Sequence, residues 1–335
     1  MFINFIIHPH WIRRRRFWHR LFLLTVLVFA GSRVAWTEYF ANQPPPISLG
    51  MVFEEFRRGG DIVEPPPIVV PPAPPIPTQV GSSTPPVIAA ESAIVKDHVS
   101  GAILFGNNPY VLRPVASITK LMSALVLLDT PLNWVATTSV VADEIEDTHM
   151  YALDTYTIGD LWHTALIGSS NKAILTLVDA WGGSRVDFVV RMNAKAQELG
   201  MADSVFVEPT GLDGGNVSTA SDVALLLREA LSRPAIREAV LTPEYEIYSV
   251  ERDKRHHLWN TNWLMLGWIP HEFEVLGGKT GYTGAAGYSV AVQTGDEAGH
   301  VLYIVVLGAD SHEARFIEAR DLADWVYENF SWADQ

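Results

Sequence analysis

The sequence contains no cysteine among its 335 residues. This absence excludes disulfide bonds, thiolate metal sites, a cysteine nucleophile and a lipoprotein anchor. Charged residues are sparse at 19%, but 48% of the residues are apolar and 10% are aromatic. A composition of this kind excludes a chain that is disordered throughout. The length allows one large folded domain or two ordinary ones.

Positively charged residues are also scarce, since the chain has 24 Lys and Arg residues but 38 Asp and Glu residues. The first 36 residues carry six arginines and no acid, so the remaining 299 residues have a net charge of −20. An acidic body of this kind is a poor partner for nucleic acid, which requires clustered Lys and Arg. The eleven histidines show no H-E-x-x-H spacing. We therefore expect neither a nucleic-acid partner nor a metal site.

The basic N-terminus predicts export. Residues 13–16 are all arginine, Arg20 follows, and residues 21–31 are uncharged and mostly aliphatic. A basic region before an apolar run is typical of an export signal, with the arginines on the cytoplasmic side. The run is shorter than the roughly 20 residues of a comfortable spanning helix, which allows cleavage after Ala30. Aromatic residues that favour a retained anchor flank the run: Phe17, Trp18, Trp36, Tyr39 and Phe40.

These features predict that residues 1–40 are a signal or a membrane anchor. The protein then lies in the cell envelope, on the outer face of the cytoplasmic membrane, or is exported if the signal is cleaved. Residues 44–86 hold 13 of the 21 prolines. Proline removes backbone donors and favours extended geometry, so residues 41–86 are predicted to be a semi-rigid linker of at most about 130 Å. A docking site for a proline-binding partner is the alternative.

Residues 87–335 are predicted to form one folded domain of the α+β class. Two hairpins are expected, one from 87–95 and 102–105 and the other from 288–293 and 301–307. Helical patterns lie between and after them, at 117–129, 159–180, 184–199, 221–231 and 313–330. Strands at both ends of a helical middle predict one antiparallel sheet, built from the two ends of the domain and covered by helices.

The first candidate site is the S-x-x-K motif from Ser117 to Lys120. Residues three apart share a helix face, so the lysine amine can approach the serine hydroxyl. The helix start favours an oxyanion, and apolar neighbours would lower the pKa of the lysine enough to make it a base. Taken alone, the motif is better explained as a serine N-cap followed by a solvated lysine. A second match runs from Ser169 to Lys172.

Two further motifs follow in the chain. Ser169-Ser170-Asn171 is an S-x-N motif in a predicted turn, where Ser169 could relay a proton and Asn171 could orient Lys120 or a substrate amide. Lys279-Thr280-Gly281 is a K-T-G motif flanked by glycines. A glycine in a strand lets a peptide-like ligand lie against the backbone. S-x-x-K and S-x-N each have an ordinary structural explanation when taken alone. Together, however, S-x-x-K, S-D-N and K-T-G are the set shared by class A β-lactamases and penicillin-binding proteins, and all three occur here in that order with Ser170 in place of the aspartate.

The chain resembles the low-molecular-mass penicillin-binding proteins of peptidase family S11, the D-alanyl-D-alanine carboxypeptidases. Five segments carry the resemblance: Pro114–Met122, the stretch from Leu199 to Asp213, Ser218–Asp222, Asn260–Asn262 and Gly278–Thr283. The resemblance covers residues 88–332 and implies a β-lactamase/transpeptidase-like fold with a helical subdomain. It also implies that the enzyme uses no cofactor, that its substrate is the peptidoglycan stem peptide and that β-lactam antibiotics inhibit it covalently.

The resemblance assigns a role to each motif. Ser117 would attack the D-Ala-D-Ala carbonyl with Lys120 as base, and Ser169 and Asn171 would assist proton transfer and substrate placement. The binding strand is implied to carry Lys279, Thr280, Gly281 and Tyr282. The backbone N–H groups of Ser117 and Tyr282 would form the oxyanion hole.

One departure leaves the substrate open. At the position of Thr261, some carboxypeptidases of the family carry an arginine that would clamp the terminal carboxylate. Other members, including endopeptidases that cut cross-links, resemble the Asn-Thr-Asn of this chain instead. The chain also ends just after the last predicted helix of the catalytic domain, without the β-rich second domain and amphipathic tail of several relatives. The N-terminal segment would then replace that tail as anchor.

Two alternative functions are weaker. A class A β-lactamase should carry E-x-x-L-N after S-x-N, and a non-catalytic cell-wall-binding protein should have lost the motif residues.

Overall fold

The computed structural model describes residues 73–145, 147 and 149–333. The predicted signal or anchor and most of the predicted linker lie outside these residues. Among the described residues, no helix has the length and apolar character needed to cross a bilayer.

The described chain alternates short strands with helices. The strands are β1 (Thr78–Gln79), β2 (Ser92–Asp97), β3 (Ile103–Asn107), β4 (Arg113–Pro114), β5 (Thr137–Ser139), β6 (Thr155–Thr157), β7 (Val217–Ser218), β8 (Glu244–Ser249), β9 (Lys254–Trp259), β10 (Glu274–Thr283), β11 (Gly287–Gly295), β12 (Val301–Ala309) and β13 (Phe330–Ser331). The helices are a 3₁₀ turn (Ala116–Ile118), α1 (Thr119–Leu127), α2 (Ile158–Leu166), α3 (Asn171–Ala180), α4 (Arg185–Glu198), α5 (Ala220–Ser232), α6 (Pro234–Leu241) and α7 (Ala314–Asn329).

The predicted central sheet is confirmed. It has five antiparallel strands in the order β10-β11-β12-β2-β3, so both ends of the domain contribute. Alternate residues of one strand enter different cores, since successive side chains point to opposite faces. Val305 packs with the helical part of the domain, whereas Ile304 and Val306 pack with α7. The sheet is therefore covered on both faces, and β10 is left as an edge strand.

The predicted single helix over 159–180 is wrong, because the segment forms two helices, α2 and α3. Between them Ser169 adopts φ +62°, a left-handed conformation that ends the helical path. The Ser170 hydroxyl then accepts the N–H of Ala173 and caps α3. The turn predicted at the S-x-N motif is therefore confirmed, and it divides the segment that the apolar pattern predicted as one helix.

The predicted linker boundary at residue 86 is also corrected. Strand β1 pairs with β13, and the N–H of Val80 donates to the carbonyl of Asn329 at 2.8 Å. The indole of Trp325 donates to the Ser83 carbonyl at 3.2 Å. Residues 78–83 thus pack on the last helix and strand, and the folded unit begins about ten residues earlier than predicted.

Candidate active site

The nucleophile candidate, Ser117, lies in the 3₁₀ turn that leads into α1. The preceding residue, Ala116, adopts φ +47°, a strained conformation for a residue with a Cβ. Neither the 3₁₀ turn nor α1 begins with a side-chain cap, so Ser117 is not an N-cap. Lys120 is completely buried rather than solvated. The alternative explanation of this motif, a serine N-cap followed by a solvated lysine, is therefore wrong on both points.

The amine of Lys120 has three partners. Its Nζ lies 2.8 Å from Ser117 Oγ, 2.8 Å from Asn171 Oδ1 and 2.8 Å from the carbonyl oxygen of Thr210. Burial lowers the pKa of Lys120 to about 7, against the opposing charges of Glu208 and Asp147. A neutral amine can donate one N–H to each carbonyl oxygen and keep its lone pair for the Ser117 hydroxyl. The geometry therefore suits Lys120 as a general base near neutral pH.

The Thr210 carbonyl is a component that the motifs did not reveal. The carboxylate of Glu208 accepts the N–H of Thr210 at 2.6 Å and that of Gly211 at 2.5 Å, which holds the loop in place. Gly211 has φ +90°, and a Cβ there would lie 1.9 Å from the carbonyl oxygen of Ala116. The only sequence signal was the resemblance of the 199–213 stretch to the family, which did not point to a backbone carbonyl.

The second wall of the site comes from the turn between α2 and α3. Asn171 reaches Lys120 from the start of α3, and Ser169 Oγ accepts from Lys279 Nζ at 2.9 Å. Behind them, the Ser170 hydroxyl donates to Asp147 Oδ2 at 2.5 Å, and the same oxygen accepts the N–H of Lys172 at 2.8 Å. Ser170, which lies between Ser169 and Asn171, therefore anchors the turn.

The third wall is the edge strand β10. Lys279 is 1% exposed, and burial together with the charges of Lys120 and Arg315 lowers its pKa well below the usual value. Next to it, the Thr280 hydroxyl lies 2.6 Å from the Thr261 hydroxyl. A Cβ at Gly281 would lie 2.8 Å from the Val115 carbonyl oxygen, so only glycine lets β10 approach the nucleophile turn this closely.

The three walls enclose an open cleft of about 650 Å³. Six of the residues that line it are Ser117, Ser169, Thr261, Thr280, Gly281 and Tyr282. Tyr282 is 54% exposed and its ring stacks on that of Tyr288 with centroids 4.2 Å apart. No cluster of three or more His, Asp or Glu residues in the described chain is arranged to hold a metal ion. Five of the eight residues that the sequence nominated line the cleft. The other three, Lys120, Asn171 and Lys279, lie behind it, where Lys120 contacts Ser117 and Asn171, and Lys279 contacts Ser169.

Comparison with known proteins agrees with this geometry. The family model described as D-alanyl-D-alanine carboxypeptidase, peptidase S11, matches residues 79–311. A D-alanyl-D-alanine endopeptidase of Pseudomonas aeruginosa is 32% identical over 264 residues, which cover 75% of this chain and 84% of that protein.

Solved structures show the same fold. A D-alanyl-D-alanine carboxypeptidase from Mycobacterium tuberculosis is 30% identical and superposes with a TM-score of 0.66 over 75% of this chain and 95% of its own. Penicillin-binding protein D2 from Listeria monocytogenes, in its cefotaxime-bound form, is 29% identical with a TM-score of 0.64 over 73% of this chain and 100% of its own.

Proposed function

Since the chain belongs to peptidase family S11, the D-alanyl-D-alanine carboxypeptidases, we propose that it removes the terminal D-Ala of peptidoglycan stem peptides through an acyl-serine intermediate. The observation that carries the proposal is the 2.8 Å contact between Lys120 Nζ and Ser117 Oγ, made by an amine whose pKa is lowered to about 7. A serine hydroxyl is a weak nucleophile unless an adjacent base takes its proton.

In the acylation step, Ser117 Oγ forms a bond to the carbonyl carbon of the penultimate D-Ala and transfers its proton to Lys120 Nζ. The carbonyl oxygen becomes an oxyanion, which the backbone N–H groups of Ser117 and Tyr282 stabilise. The C–N bond then breaks, and the proton held by Lys120 passes through the Ser169 hydroxyl to the departing D-Ala nitrogen, which leaves Lys120 neutral again. The Ser169 hydroxyl is held in place by Lys279, from which it accepts at 2.9 Å.

In the deacylation step, a water molecule attacks the acyl carbon and releases Ser117. Asn171 keeps Lys120 in place through its 2.8 Å contact, so the same amine can take a proton from that water. A terminal carboxylate favours the protonated form of Lys279, so Lys279 supplies the positive charge and the Thr280 hydroxyl supplies the donor that this carboxylate requires. The substrate peptide lies along the free edge of β10, as an added strand.

A D,D-endopeptidase that cleaves peptidoglycan cross-links is the second candidate. It is favoured by Thr261, which stands where some carboxypeptidases carry an arginine clamp. The endopeptidase of Pseudomonas aeruginosa, at 32% identity, also supports it. Both reactions pass through the same acyl-serine and differ only in the group that leaves.

Benzylpenicillin tests the shared chemistry, because its β-lactam carbonyl imitates the D-Ala-D-Ala bond. We expect the full-length chain in detergent to gain the mass of one penicilloyl group, and to release D-Ala from an acyl-D-Ala-D-Ala peptide. Destruction of the drug without an adduct would indicate a β-lactamase instead. If the drug stays intact and no D-Ala is released, the protein is not a D,D-peptidase.

We further propose that residues 1–40 anchor the enzyme to the outer face of the cytoplasmic membrane. The support is the tetra-arginine stretch before an apolar run flanked by aromatic residues. We expect the full-length protein in a bacterial host to stay in the membrane pellet after carbonate extraction, with an intact mass of 37.1 kDa. Recovery of a soluble protein that begins after Ala30 would show cleavage and contradict the anchor.

A further inference from the structure

The cleft does not stop at the hydroxyl pair of Thr261 and Thr280. Its lining continues along the chain that follows β9, through Trp263 to Trp268. Thr261 has a short side chain, so it does not close this end of the cleft as a long cationic side chain would. The carboxylate end of a D-Ala-D-Ala substrate faces this pair in the proposed mechanism. The extension therefore lies on the side of the leaving group.

The extension is walled by aromatic rings in contact with one another. Trp259 and Trp268 have centroids 6.1 Å apart, Trp268 and Trp263 5.4 Å, and Trp263 and His312 4.3 Å. Trp259 is 52% exposed and Trp268 is 50% exposed. All four rings line the same cleft as Ser117. Half-exposed indole faces beside a reacting centre offer a large apolar surface that costs little conformational entropy to use.

Positive charge lies at the base of this wall. Arg315 is 3% exposed, and one of its terminal nitrogens donates to the Gly281 carbonyl at 3.1 Å. Burial lowers the pKa of Arg315 to about 10, which still leaves it charged at neutral pH. Among the described residues, its Nε and the Nδ1 of His312 have no hydrogen-bond partner. The wall thus combines apolar faces with a cation, as a methylene chain that ends in an anion would require.

Resting on the function proposed above, we propose that Trp259, Trp263, Trp268 and His312 form a leaving-group subsite. It binds a departing D-residue whose side chain is much longer than the methyl of D-Ala, as in a peptide that joins two stems. The C–N bond to this residue breaks when Ser117 is acylated, and its amine leaves protonated as in the shorter substrate. Water then hydrolyses the acyl-serine. The whole cleft, with a volume of about 650 Å³, is of the size that encloses a drug-sized ligand.

Two peptides with the same acyl part test the subsite. One releases D-Ala, and the other releases D-lysine whose ε-nitrogen carries a succinyl group, which supplies a long chain with a terminal carboxylate. We expect Trp268→Ala to lower kcat/KM for the long peptide about 10-fold or more, since the loss of apolar pocket contacts has effects of this size. For the D-Ala-D-Ala peptide the expected change is less than about 2-fold, because D-Ala does not reach the ring.

Trp134→Ala is the matched control, because Trp134 is 39% exposed and does not line this cleft. It should change neither rate. An equal loss of kcat/KM on both peptides in Trp268→Ala, or no loss on either, would overturn the subsite, and so would a wild-type enzyme that cleaves only D-Ala-D-Ala. Those outcomes leave the proposed peptidase intact. Failure of the wild type on both peptides and on benzylpenicillin would instead refute the proposed function itself.

Discussion

Ser117→Ala is expected to lower D-Ala release by at least about 10⁴-fold, because it removes the hydroxyl that contacts the Lys120 amine and forms the acyl bond. The variant should also gain no penicilloyl mass. The side chain removed is small and only half-buried, and it caps no helix, so the protein should unfold at nearly the wild-type temperature. Steady-state kinetics, intact mass and thermal unfolding of the same preparation check the three expectations.

Ser139→Ala is the matched control, since Ser139 is an exposed serine of β5, away from the cleft. It should keep wild-type rates and the adduct. If Ser117→Ala remained folded and still released D-Ala at the normal rate, the acyl-serine mechanism would be wrong.

Lys120→Met should lower the rate of penicillin acylation by about 10³-fold or more, since general-base catalysis typically contributes 10²–10⁴-fold. Methionine retains the length and apolar stem of lysine but has no amine to accept the Ser117 proton. In the wild type, the neutral amine disappears as the pH falls through the lowered pKa of about 7. The wild-type acylation rate should therefore fall about 10-fold per pH unit below that point and level off above it.

The residual rate of Lys120→Met should lack this inflection, and stopped-flow acylation between pH 5 and 9 compares the two profiles. Lys195→Met serves as control because Lys195 lies on α4, where it pairs with Asp129 at 3.1 Å and with Glu198 at 2.9 Å. It should retain the wild-type profile. A Lys120→Met variant with an unchanged inflection near pH 7 would assign that titration to another group.

The sheet, most of the helices and the membership of the site could be predicted from the sequence. Apolar runs joined by turn segments at both ends of the domain predicted the sheet, and motif spacing placed Ser117 and Lys120 on one helical turn. The environment of Lys120 could not be predicted, because its Thr210 partner lies 90 residues away and is a backbone atom. A motif specifies side chains, whereas the pKa of the lysine depends on how deeply packing buries it.

The missed β8–β9 hairpin has a different cause. Its strands carry exposed charged residues, including Glu246 and Arg255, which form an ion pair across the two strands. Such residues have low strand propensity when read singly, and the cross-strand pairing that compensates for it is a long-range contact. The turn at Ser169 was predicted from the S-x-N motif, but the helical bounds 159–180 ran across it, since apolar residues on both sides continue a helical pattern.

The two buried amines, Lys120 and Lys279, have a consequence for the proton balance of folding. In the folded protein the pKa of Lys120 is lowered to about 7 and that of Lys279 is lowered well below its usual value. Both return to about 10.4 when the chain unfolds, so folding expels protons, from Lys120 above about pH 7. The free energy of unfolding should therefore increase as the pH rises from about 7 to about 10, since the unfolded chain binds more protons than the folded protein in that range. A substrate carboxylate that binds to Lys279 raises the pKa of that amine again, so capture of an anionic substrate draws a proton back into the protein.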